Sequence, residues 1–164
     1  MMEKHTVRII NAKAAHIPFV AAIEKQVFIH PWSESALLNE LQREDSVFLV
    51  ALCGENVCGY INCRNVCGEG YVGNFAVDPA FRRGGVGSRL LDALIAKAEE
   101  LKLDFLTLEV RASNQTAIRL YETLGFRKVG ERKNFYSEPT ENAILYTLNL
   151  PNNEGNDNDE YIGN

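Results

Sequence analysis

The sequence predicts an α/β fold of the α+β kind, in which helices cover a mixed β-sheet in the order β-α-α-β-β-β-α-β-α-β-β. Several segments carry apolar residues at helical spacing, and short runs of strand-forming residues separate them. Tight polar turns at 54–56 and 67–70 join three of these runs, which is typical of antiparallel hairpins. The run at 71–77 instead leads through a glycine-rich turn into a long helix, as a crossover between parallel strands does.

The first half of the chain supplies three strands and two helices. His30-Pro31-Trp32 ends the first helix, and Ser33 is a good N-cap for the second. The predicted elements are a strand at Val7–Ile10, a helix at His16–Phe28, a helix from Ser33 through Leu41, and strands at Val47–Cys53 and Val57–Val66.

The second half begins with the central strand, which Asp78-Pro79 ends because proline has no N–H to donate. Gly125 is well placed to end the last helix in a left-handed conformation. The predicted elements are strands at Tyr71–Val77 and Phe105–Val110, helices at about Val86–Leu101 and Asn114–Leu124, and strands at Arg127–Tyr136 and Asn142–Leu148.

Length and composition indicate one ordinary globular domain, predicted at residues 1–150. The chain has 164 residues, 46% of them hydrophobic, and a net charge of −5. Four of the five net negative charges come from residues 151–164, which have no Lys or Arg and which we expect to form an acidic disordered tail. The rest is nearly neutral, so no nucleic-acid-binding face is predicted. Without an apolar run of ~20 residues or a signal-peptide pattern, we expect a cytoplasmic protein that does not bind membranes.

The four cysteines, Cys53, Cys58, Cys63 and Cys67, form no C-x-x-C pair and have no histidine nearby in the sequence. We expect reduced, partly buried thiols and no metal site. A cross-strand pair of Cys53 and Cys58 around the turn at 54–56 is the alternative.

The segment Asn74–Leu91, NFAVDPAFRRGGVGSRLL, predicts an anion-binding site. The first amides of a helix have no internal partners, and the helix dipole places about +0.5 charge there. Glycines let a ligand approach the backbone, while Arg82 and Arg83 add positive charge. Phosphate, and a pyrophosphate in particular, fits such a site. The alternative is a plain helix start with solvated arginines.

The glycine spacing excludes two common phosphate motifs. The third glycine of G-x-G-x-x-G is missing after Gly85-Val86-Gly87, and the chain has no Gly-Lys pair for a P-loop. The pattern from Arg82 to Gly87, R-x-x-G-x-G, instead resembles the acetyl-CoA signature of the GCN5-related N-acetyltransferase (GNAT) family.

A second stretch, Leu108–Phe126, strengthens this resemblance. Its pattern, N-x-x-A-x-x-L-Y-E-x-x-G-F from Asn114, is similar to the GNAT motif that follows the cofactor strand. With Glu109-Val110-Arg111, Asn74–Pro79 and Pro31-Trp32-Ser33, it resembles the bacterial ribosomal-protein-alanine N-acetyltransferases (RimI type). The resemblance implies a GNAT fold that uses acetyl-CoA as co-substrate and no metal.

The resemblance also assigns binding residues. Backbone groups matching 75–77 would hydrogen-bond the pantetheine arm as a strand would, and the residue matching Asn114 would touch that arm. The implied acetyl-CoA-binding residues are Phe75, Ala76, Val77, Arg82, Arg83, Gly84, Gly85, Val86, Gly87, Ser88, Asn114 and Tyr121. Asn114 could equally be a simple N-cap.

Two residues are candidates for catalysis. Glu109 lies on the polar face of its strand, and its family counterpart accepts the proton of the attacking amine. The alternative is a surface glutamate paired with Arg111. The family counterpart of Tyr121 donates a proton to the departing thiolate. Because Tyr121 also fits an apolar helical stripe, it could be a core residue or serve both roles.

Three residues are candidates for binding the substrate. Pro31, Trp32 and Tyr136 are the candidate residues for binding a peptide. The chain departs from the family pattern at Gly70 and Gly73, which suggest a looser central strand, and at Phe135, which replaces a tyrosine.

We therefore expect direct acetyl transfer to the N-terminal alanine of a small-subunit ribosomal protein, without a cysteine nucleophile. Acetylation of a small-molecule amine and a non-catalytic acyl-CoA-binding module are the alternatives, and the oligomeric state is open.

Overall fold

The computed structural model describes residues 6–151, so the predicted acidic tail lies outside the described residues except for Pro151. Within them the chain forms seven strands and four α-helices in the predicted order. The strands are β1 (Val7–Asn11), β2 (Ser46–Cys53), β3 (Asn56–Val66), β4 (Glu69–Val77), β5 (Phe105–Arg111), β6 (Arg127–Tyr136) and β7 (Glu141–Asn149). The helices are α1 (Ile17–Val27), α2 (Glu34–Leu41), α3 (Val86–Glu100) and α4 (Gln115–Thr123).

All seven strands belong to one mixed sheet with the spatial order β1-β2-β3-β4-β5-β7-β6. The neighbours β4 and β5 are parallel, and all other neighbours are antiparallel. The connection from β4 to β5 is therefore the expected crossover, and it contains α3.

The two faces of the sheet are covered unequally. On one face α3 and α4 pack over the sheet, and their buried residues include Leu90, Leu94 and Tyr121. On the other face α1 and α2 cover only the β2–β4 half, around Val20, Leu37 and other buried residues. Over β5, β7 and β6, no helix within residues 6–151 covers this second face.

Local signals set most element ends where the sequence predicts them. The Ser33 hydroxyl accepts a hydrogen bond from the Ala36 N–H (3.1 Å), as an N-cap does. Gly125 adopts a φ of +96° after α4. The α1 helix begins one residue later than predicted, because a short 3-10 turn at Ala14–His16 precedes it.

Gly70 and Gly73 correct the expectation of a looser central strand, because close packing requires them. A Cβ at Gly70 would lie 2.6 Å from Leu106 Cδ2. A Cβ at Gly73 would collide with the Asn62 side chain, which is buried. Bulkier residues are therefore excluded by neighbouring side chains on β3 and β5.

The four cysteines are free thiols, so the Cys53–Cys58 pair does not form. The Cys58 thiol is buried and donates to the Ala51 carbonyl (3.4 Å). Burial raises the pKa of the Cys58 thiol to about 11. None of the helices within residues 6–151 has the length and apolar character needed to cross a membrane.

Candidate active site

The glycine turn places free backbone amides at the start of α3. Gly85 is the N-cap, with a left-handed φ of +78°, and it provides no side chain to cap the helix. The first intrahelical bond runs from the Arg89 N–H to the Gly85 carbonyl, so the amides of residues 86–88 have no helical acceptor. Apart from its chain neighbours, no part of residues 6–151 lies within 4 Å of a Cβ built at Gly85, so the described residues leave the space at this helix end open.

The charge and the packing of this turn suit a negatively charged ligand. Arg82 and Arg83 are exposed beside it, and Arg83 itself has a positive φ of 68°. Gly87 faces inwards, since a Cβ there would lie 3.4 Å from Phe75 Cζ and 3.6 Å from Leu120 Cδ2. The turn therefore combines positive charge with a close approach from the helix end to β4 and α4.

The parallel strands β4 and β5 separate at the centre of the sheet. They pair only at their beginnings, where the last partners are Tyr71 and Thr107. Beyond this point Phe75–Val77 pair with β3 on one side and, among the described residues, with no strand on the other. This edge of β4 can hydrogen-bond an extended ligand.

A β-bulge in β4 lies where the strands separate. The register with β3 shifts between Ile61 and Cys63, so that Gly73 and Asn74 lie opposite Asn62. The Asn62 side-chain oxygen accepts from the Asn74 N–H (2.8 Å), which holds the extra residue. The bulge changes which residues of β4 face each side of the sheet.

An open cleft of about 820 Å³ occupies the uncovered half of the second sheet face. It extends from the bulge in β4 across β5 and β7 to β6. Its lining residues are Tyr71, Val72, Gly73, Asn74, Phe105, Thr107, Leu108, Glu109, Val129, Arg132, Phe135, Tyr136, Leu145, Thr147 and Asn149. Aromatic rings and a single carboxylate thus face the same space.

The structure places Glu109 in this cleft, on the polar face of β5 as the alternation predicts. Its partner is not Arg111. The Glu109 carboxylate instead forms an ion pair with the guanidinium of Arg132 on β6 (3.3 Å). Since both side chains are partly solvated, this pair holds Glu109 only weakly.

Arg111 organises the hairpin between β6 and β7. It donates to the carbonyls of Ser137 (3.0 Å) and Pro139 (3.1 Å) and forms an ion pair with Glu141 (3.3 Å). Its guanidinium also lies 4.5 Å from the centre of the Tyr136 ring. Arg111 therefore fixes the end of the cleft that contains Tyr136.

Tyr121 lies on the opposite face of the sheet from Glu109, in the core beneath β4 and β7. Its ring packs against those of Phe75, Phe126 and Tyr146, with centroids 5.7–6.3 Å apart. Burial raises the pKa of its hydroxyl, and Tyr136 adds to this shift, so the phenol is protonated at neutral pH. Its hydroxyl makes no hydrogen bond within residues 6–151.

The two candidate catalytic residues are therefore not in direct contact, and the gap between β4 and β5 lies between them. Tyr136 is near both, since the pKa of its hydroxyl is raised by burial and then by the Glu109 charge. A group bound in the gap could reach both faces of the sheet.

Only one of the remaining predicted residues lines the cleft. Asn114 caps α4, where its side-chain oxygen accepts from the Ala117 N–H (3.2 Å). Tyr136 lines the cleft, whereas Pro31 and Trp32 do not. They lie in the segment between α1 and α2, which is tied to the β6–β7 hairpin by an exposed ion pair of His30 with Glu138 (3.3 Å).

Sequence reasoning missed the buried carboxyl group of Glu24 on α1, which is 0% exposed. It accepts hydrogen bonds from the Trp32 N–H (3.2 Å), the Asn74 side-chain amide (2.6 Å) and the Tyr60 hydroxyl. Burial and then Glu24 raise the pKa of Tyr60. The signal was an acidic residue at i+4 from Val20, on the apolar stripe of α1.

Metal ligands are not grouped in this part of the chain. Within residues 6–151 no three His, Cys, Asp or Glu side chains are arranged to hold a metal ion.

A family model described as the acetyltransferase (GNAT) family matches residues 17–126. Among curated relatives, the [ribosomal protein bS18]-alanine N-acetyltransferase of Haemophilus ducreyi is 37% identical over 131 residues, which are 78% of this chain and 90% of the relative.

Solved structures agree with this family model. The ribosomal-protein-S18-alanine N-acetyltransferase of Escherichia coli is similar with a TM-score of 0.82 and 33% identity, over 88% of this chain and 94% of that one. Arabidopsis thaliana NAA60 in complex with acetyl-CoA shares the fold, with a TM-score of 0.81, 17% identity and coverage of 88% and 99%.

Proposed function

Because the chain belongs to the acetyltransferase (GNAT) family, we propose that it transfers the acetyl group of acetyl-CoA to the N-terminal α-amine of a protein. The proposed substrate is the N-terminal alanine of ribosomal protein bS18, the substrate in the names of relatives 34–37% identical to this chain. The observation that carries this proposal is the open cleft that leads past Glu109 to the gap between β4 and β5.

The residues of the glycine turn fit acetyl-CoA. The free amides of residues 86–88, together with Arg82 and Arg83, suit a pyrophosphate. The unpaired edge of Phe75–Val77 suits the amide groups of a pantetheine arm. Gly87 allows the path between these two sites to stay close to the protein. We assign Asn114 a contact with the arm through its exposed cap position.

The shape of the cleft favours a peptide over a small amine. Its volume of about 820 Å³ is far larger than one amine requires. Exposed apolar side chains, including Tyr71, Val129 and Phe135, line it well beyond Glu109. They can contact the residues that follow the N-terminal one, with Tyr136 at one end and the Pro31-Trp32 segment beside it.

Glu109 and Tyr121 move the protons of the reaction. Bound acetyl-CoA supplies a thioester, whose carbonyl carbon accepts a nucleophile. The unperturbed pKa of an α-amine is ~7.7–8.0, so much of the substrate arrives as ammonium. The Glu109 carboxylate takes one proton from it, directly or through a water, and frees the nitrogen lone pair to form the C–N bond.

The C–S bond breaks as the C–N bond forms, and its electron pair leaves on sulfur. The Tyr121 hydroxyl donates its proton to that sulfur. The raised pKa of Tyr121 supports this role, because the proton stays on the phenol until a strong base forms. The nitrogen loses its second proton to solvent as it becomes an amide, and solvent returns a proton to Tyr121. The free cysteines need no part in the transfer.

Mass spectrometry of synthetic peptides tests the proposal. Purified protein and acetyl-CoA would be mixed with a peptide that has a free N-terminal alanine, with the same peptide blocked at its N-terminus but containing a lysine, and with a small polyamine. We expect acetylation of the first peptide alone. Transfer to the polyamine alone would make the protein a small-molecule acetyltransferase.

Binding of acetyl-CoA without transfer to any amine would make the protein a non-catalytic binding module. Comparing ribosomal proteins from cells with and without the gene then tests the substrate. We expect the N-terminal alanine of bS18 to lose its acetyl group when the gene is deleted.

A further inference from the structure

Glu24 joins three parts of the molecule through one buried carboxyl group. One side-chain oxygen accepts from the Tyr60 hydroxyl on β3 and from the Asn74 amide on β4 (2.6 Å). The other accepts from the backbone N–H of Trp32 (3.2 Å). All three donors are neutral, so the arrangement is not an ion pair. Three donors from distant parts of the chain thus depend on one acceptor group.

The Asn74 contact reaches the edge of β4 that would hold acetyl-CoA. Asn74 belongs to the β-bulge, where its N–H is already held by Asn62 (2.8 Å). Its side chain is held by Glu24, so the residue is fixed at two points. The next three residues, Phe75–Val77, form the unpaired edge. A shift of Asn74 would therefore move that edge.

The Trp32 contact reaches the segment beside the cleft. Residues 28–33 between α1 and α2 belong to no helix or strand. This segment also contacts the β6–β7 hairpin through the His30–Glu138 ion pair, whose side chains are 73% and 65% exposed. Exposed ion pairs restrain a chain only weakly. The bond from the Trp32 N–H is partly buried, and its acceptor Glu24 is fully buried, so it is the firmer restraint on this segment.

We propose that Glu24 is a positioning residue for acetyl transfer, which sets the cofactor edge of β4 and the Trp32 segment relative to each other. The inference rests on the proposed function. Glu24 lies behind Asn74 and so contacts neither substrate, and it acts through Asn74 and Trp32. Its carboxyl group serves as a multiple acceptor rather than as a base.

The Tyr60 hydroxyl provides a matched control. It donates to the same carboxyl group, and its hydroxyl also lies against the Asn74 side chain. Its ring is fully buried between α1 and the sheet and does not line the cleft. Tyr60→Phe removes one of the three hydrogen bonds and leaves those to Asn74 and Trp32. A purely structural role for Glu24 predicts similar behaviour for variants at both positions.

Steady-state kinetics with both substrates separate the two roles. Glu24→Leu leaves all three donors without an acceptor. We expect it to raise KM for the peptide and for acetyl-CoA by about tenfold each, with a smaller fall in kcat. Tyr60→Phe should lower Tm but keep both KM values within about twofold of wild type.

The conservative variant distinguishes hydrogen bonding from charge. In Glu24→Gln, the side-chain oxygen can still accept from the Trp32 N–H. If the Asn74 amide turns over, its oxygen can accept from the new NH2 group. We therefore expect Glu24→Gln to recover most of the loss in both KM values. Failure of Gln to recover any of it, or equal kinetics for Glu24→Leu and Tyr60→Phe, would overturn the proposal.

Fluorescence provides a readout that needs no turnover, because Trp32 is the only tryptophan in the chain. Trp32 is 37% exposed to solvent, so acrylamide partly quenches its fluorescence in the wild type. We expect quenching to increase in Glu24→Leu and to stay unchanged in Tyr60→Phe. Unchanged quenching in folded Glu24→Leu would overturn the proposal.

Asn74→Ala tests the other contact and replaces Glu24→Leu if that variant does not fold. We expect a raised KM for acetyl-CoA with unchanged Trp32 quenching. A wild-type KM for acetyl-CoA in Asn74→Ala would overturn the proposal. If the wild-type chain acetylates no peptide while Trp32 quenching responds as expected, the link from Glu24 to Trp32 stands and the proposed function fails.

Discussion

The two sides of the candidate site are built from different chemical groups. On the α3 side, residues 74–87 present backbone amides and an unpaired strand edge. On the β6–β7 side, the cleft presents side chains, chiefly Glu109, Arg132 and Tyr136. The first side depends on local chain geometry, because glycines and a helix start place the amides. The second depends on contacts between residues far apart in the sequence.

This difference explains which variants each side should tolerate. A backbone amide survives most substitutions and is blocked only by added bulk or charge. A catalytic side chain, in contrast, can lose its function when a single atom is replaced. Variants on the two sides should therefore separate binding of acetyl-CoA from transfer of its acetyl group.

The largest effect is expected for Glu109→Gln, which keeps the side-chain shape but removes the base. The turnover rate should fall by roughly 10²-fold or more. Binding of acetyl-CoA should persist, since Glu109 lies in the cleft and not at the glycine turn. Higher pH should partly restore the rate, because more of the amine is then already deprotonated. A pH–rate profile on a peptide with a free N-terminal alanine measures this.

Glu55→Gln is the matched control, because Glu55 is an exposed glutamate in the β2–β3 turn. It should behave as the wild type does. If Glu109→Gln also has wild-type rates across the profile, Glu109 is not the base.

Gly87→Glu should abolish binding of acetyl-CoA on the α3 side of the site. A carboxylate at the first turn of α3 would repel phosphate, and the new Cβ would fill the space up to Phe75 Cζ, 3.4 Å away. At acetyl-CoA concentrations near 100 Kd, the wild type should gain about 2.7 kcal/mol of stability, and the variant should gain none. Thermal melts with and without acetyl-CoA measure the difference.

Ala96→Glu adds the same charge to the exposed middle of α3 and should keep the full stabilisation. Stabilisation retained by folded Gly87→Glu would contradict the assignment of the phosphate site.

Tyr121→Phe tests the residue between the two sides. The ring contacts with Phe75, Phe126 and Tyr146 remain, so the fold should persist. The rate should fall by about 10- to 100-fold through loss of the proton donor. In contrast to Glu109→Gln, higher pH should not restore it. A wild-type rate for Tyr121→Phe at every pH would assign Tyr121 to packing alone.

The smallest effect concerns Glu141, whose partners hold the hairpin. Hydrogen bonding from Ser113, aided by Arg111, lowers the pKa of Glu141 from 4.5. A depressed folded-state pKa gives stability that is present above the unfolded value and is lost as the pH falls through the folded value. Wild type should thus lose more stability than Glu141→Gln as the pH falls below 4.5 and through the lower pKa of folded Glu141.

Thermal melts across this range measure the pH dependence for both proteins. Parallel curves would mean that the contact of Glu141 with Ser113 and Arg111 does not contribute to folding stability.

The sequence predicted the order of elements and most of their ends. The Ser33 cap and the Gly125 stop are local signals that act as predicted. The turns predicted at 54–56 and 67–70 form at these places but are shorter, because Asn56 and Glu69 already begin β3 and β4. The glycine turn was also readable, because helix geometry alone leaves its amides unpaired. Confirmation of the GNAT family rests on these same stretches, since the family model covers residues 17–126.

The sequence could not predict which side chains contact each other across the sheet. The sequence allowed Glu109 to pair with Arg111, two residues away on the same strand face, yet Glu109 pairs with Arg132 and Arg111 with Glu141. The order and register of the strands decide these ion pairs, because they place Glu141 on β7 beside β5 and Arg132 on β6 beyond it. The glycines of β4 show the same limit, since Asn62 and Leu106, which exclude larger residues, belong to other strands.

By itself, the sequence determined the features that depend on short-range geometry, namely the elements, their caps and the free amides at the start of α3. Tertiary structure decided where β4 leaves β5, which arginine contacts Glu109, and that Glu24 joins Asn74 to Trp32. The physical reason is that a backbone conformation is set by residues a few positions apart. The partners of a buried or charged side chain are set by packing between strands and helices distant in the chain.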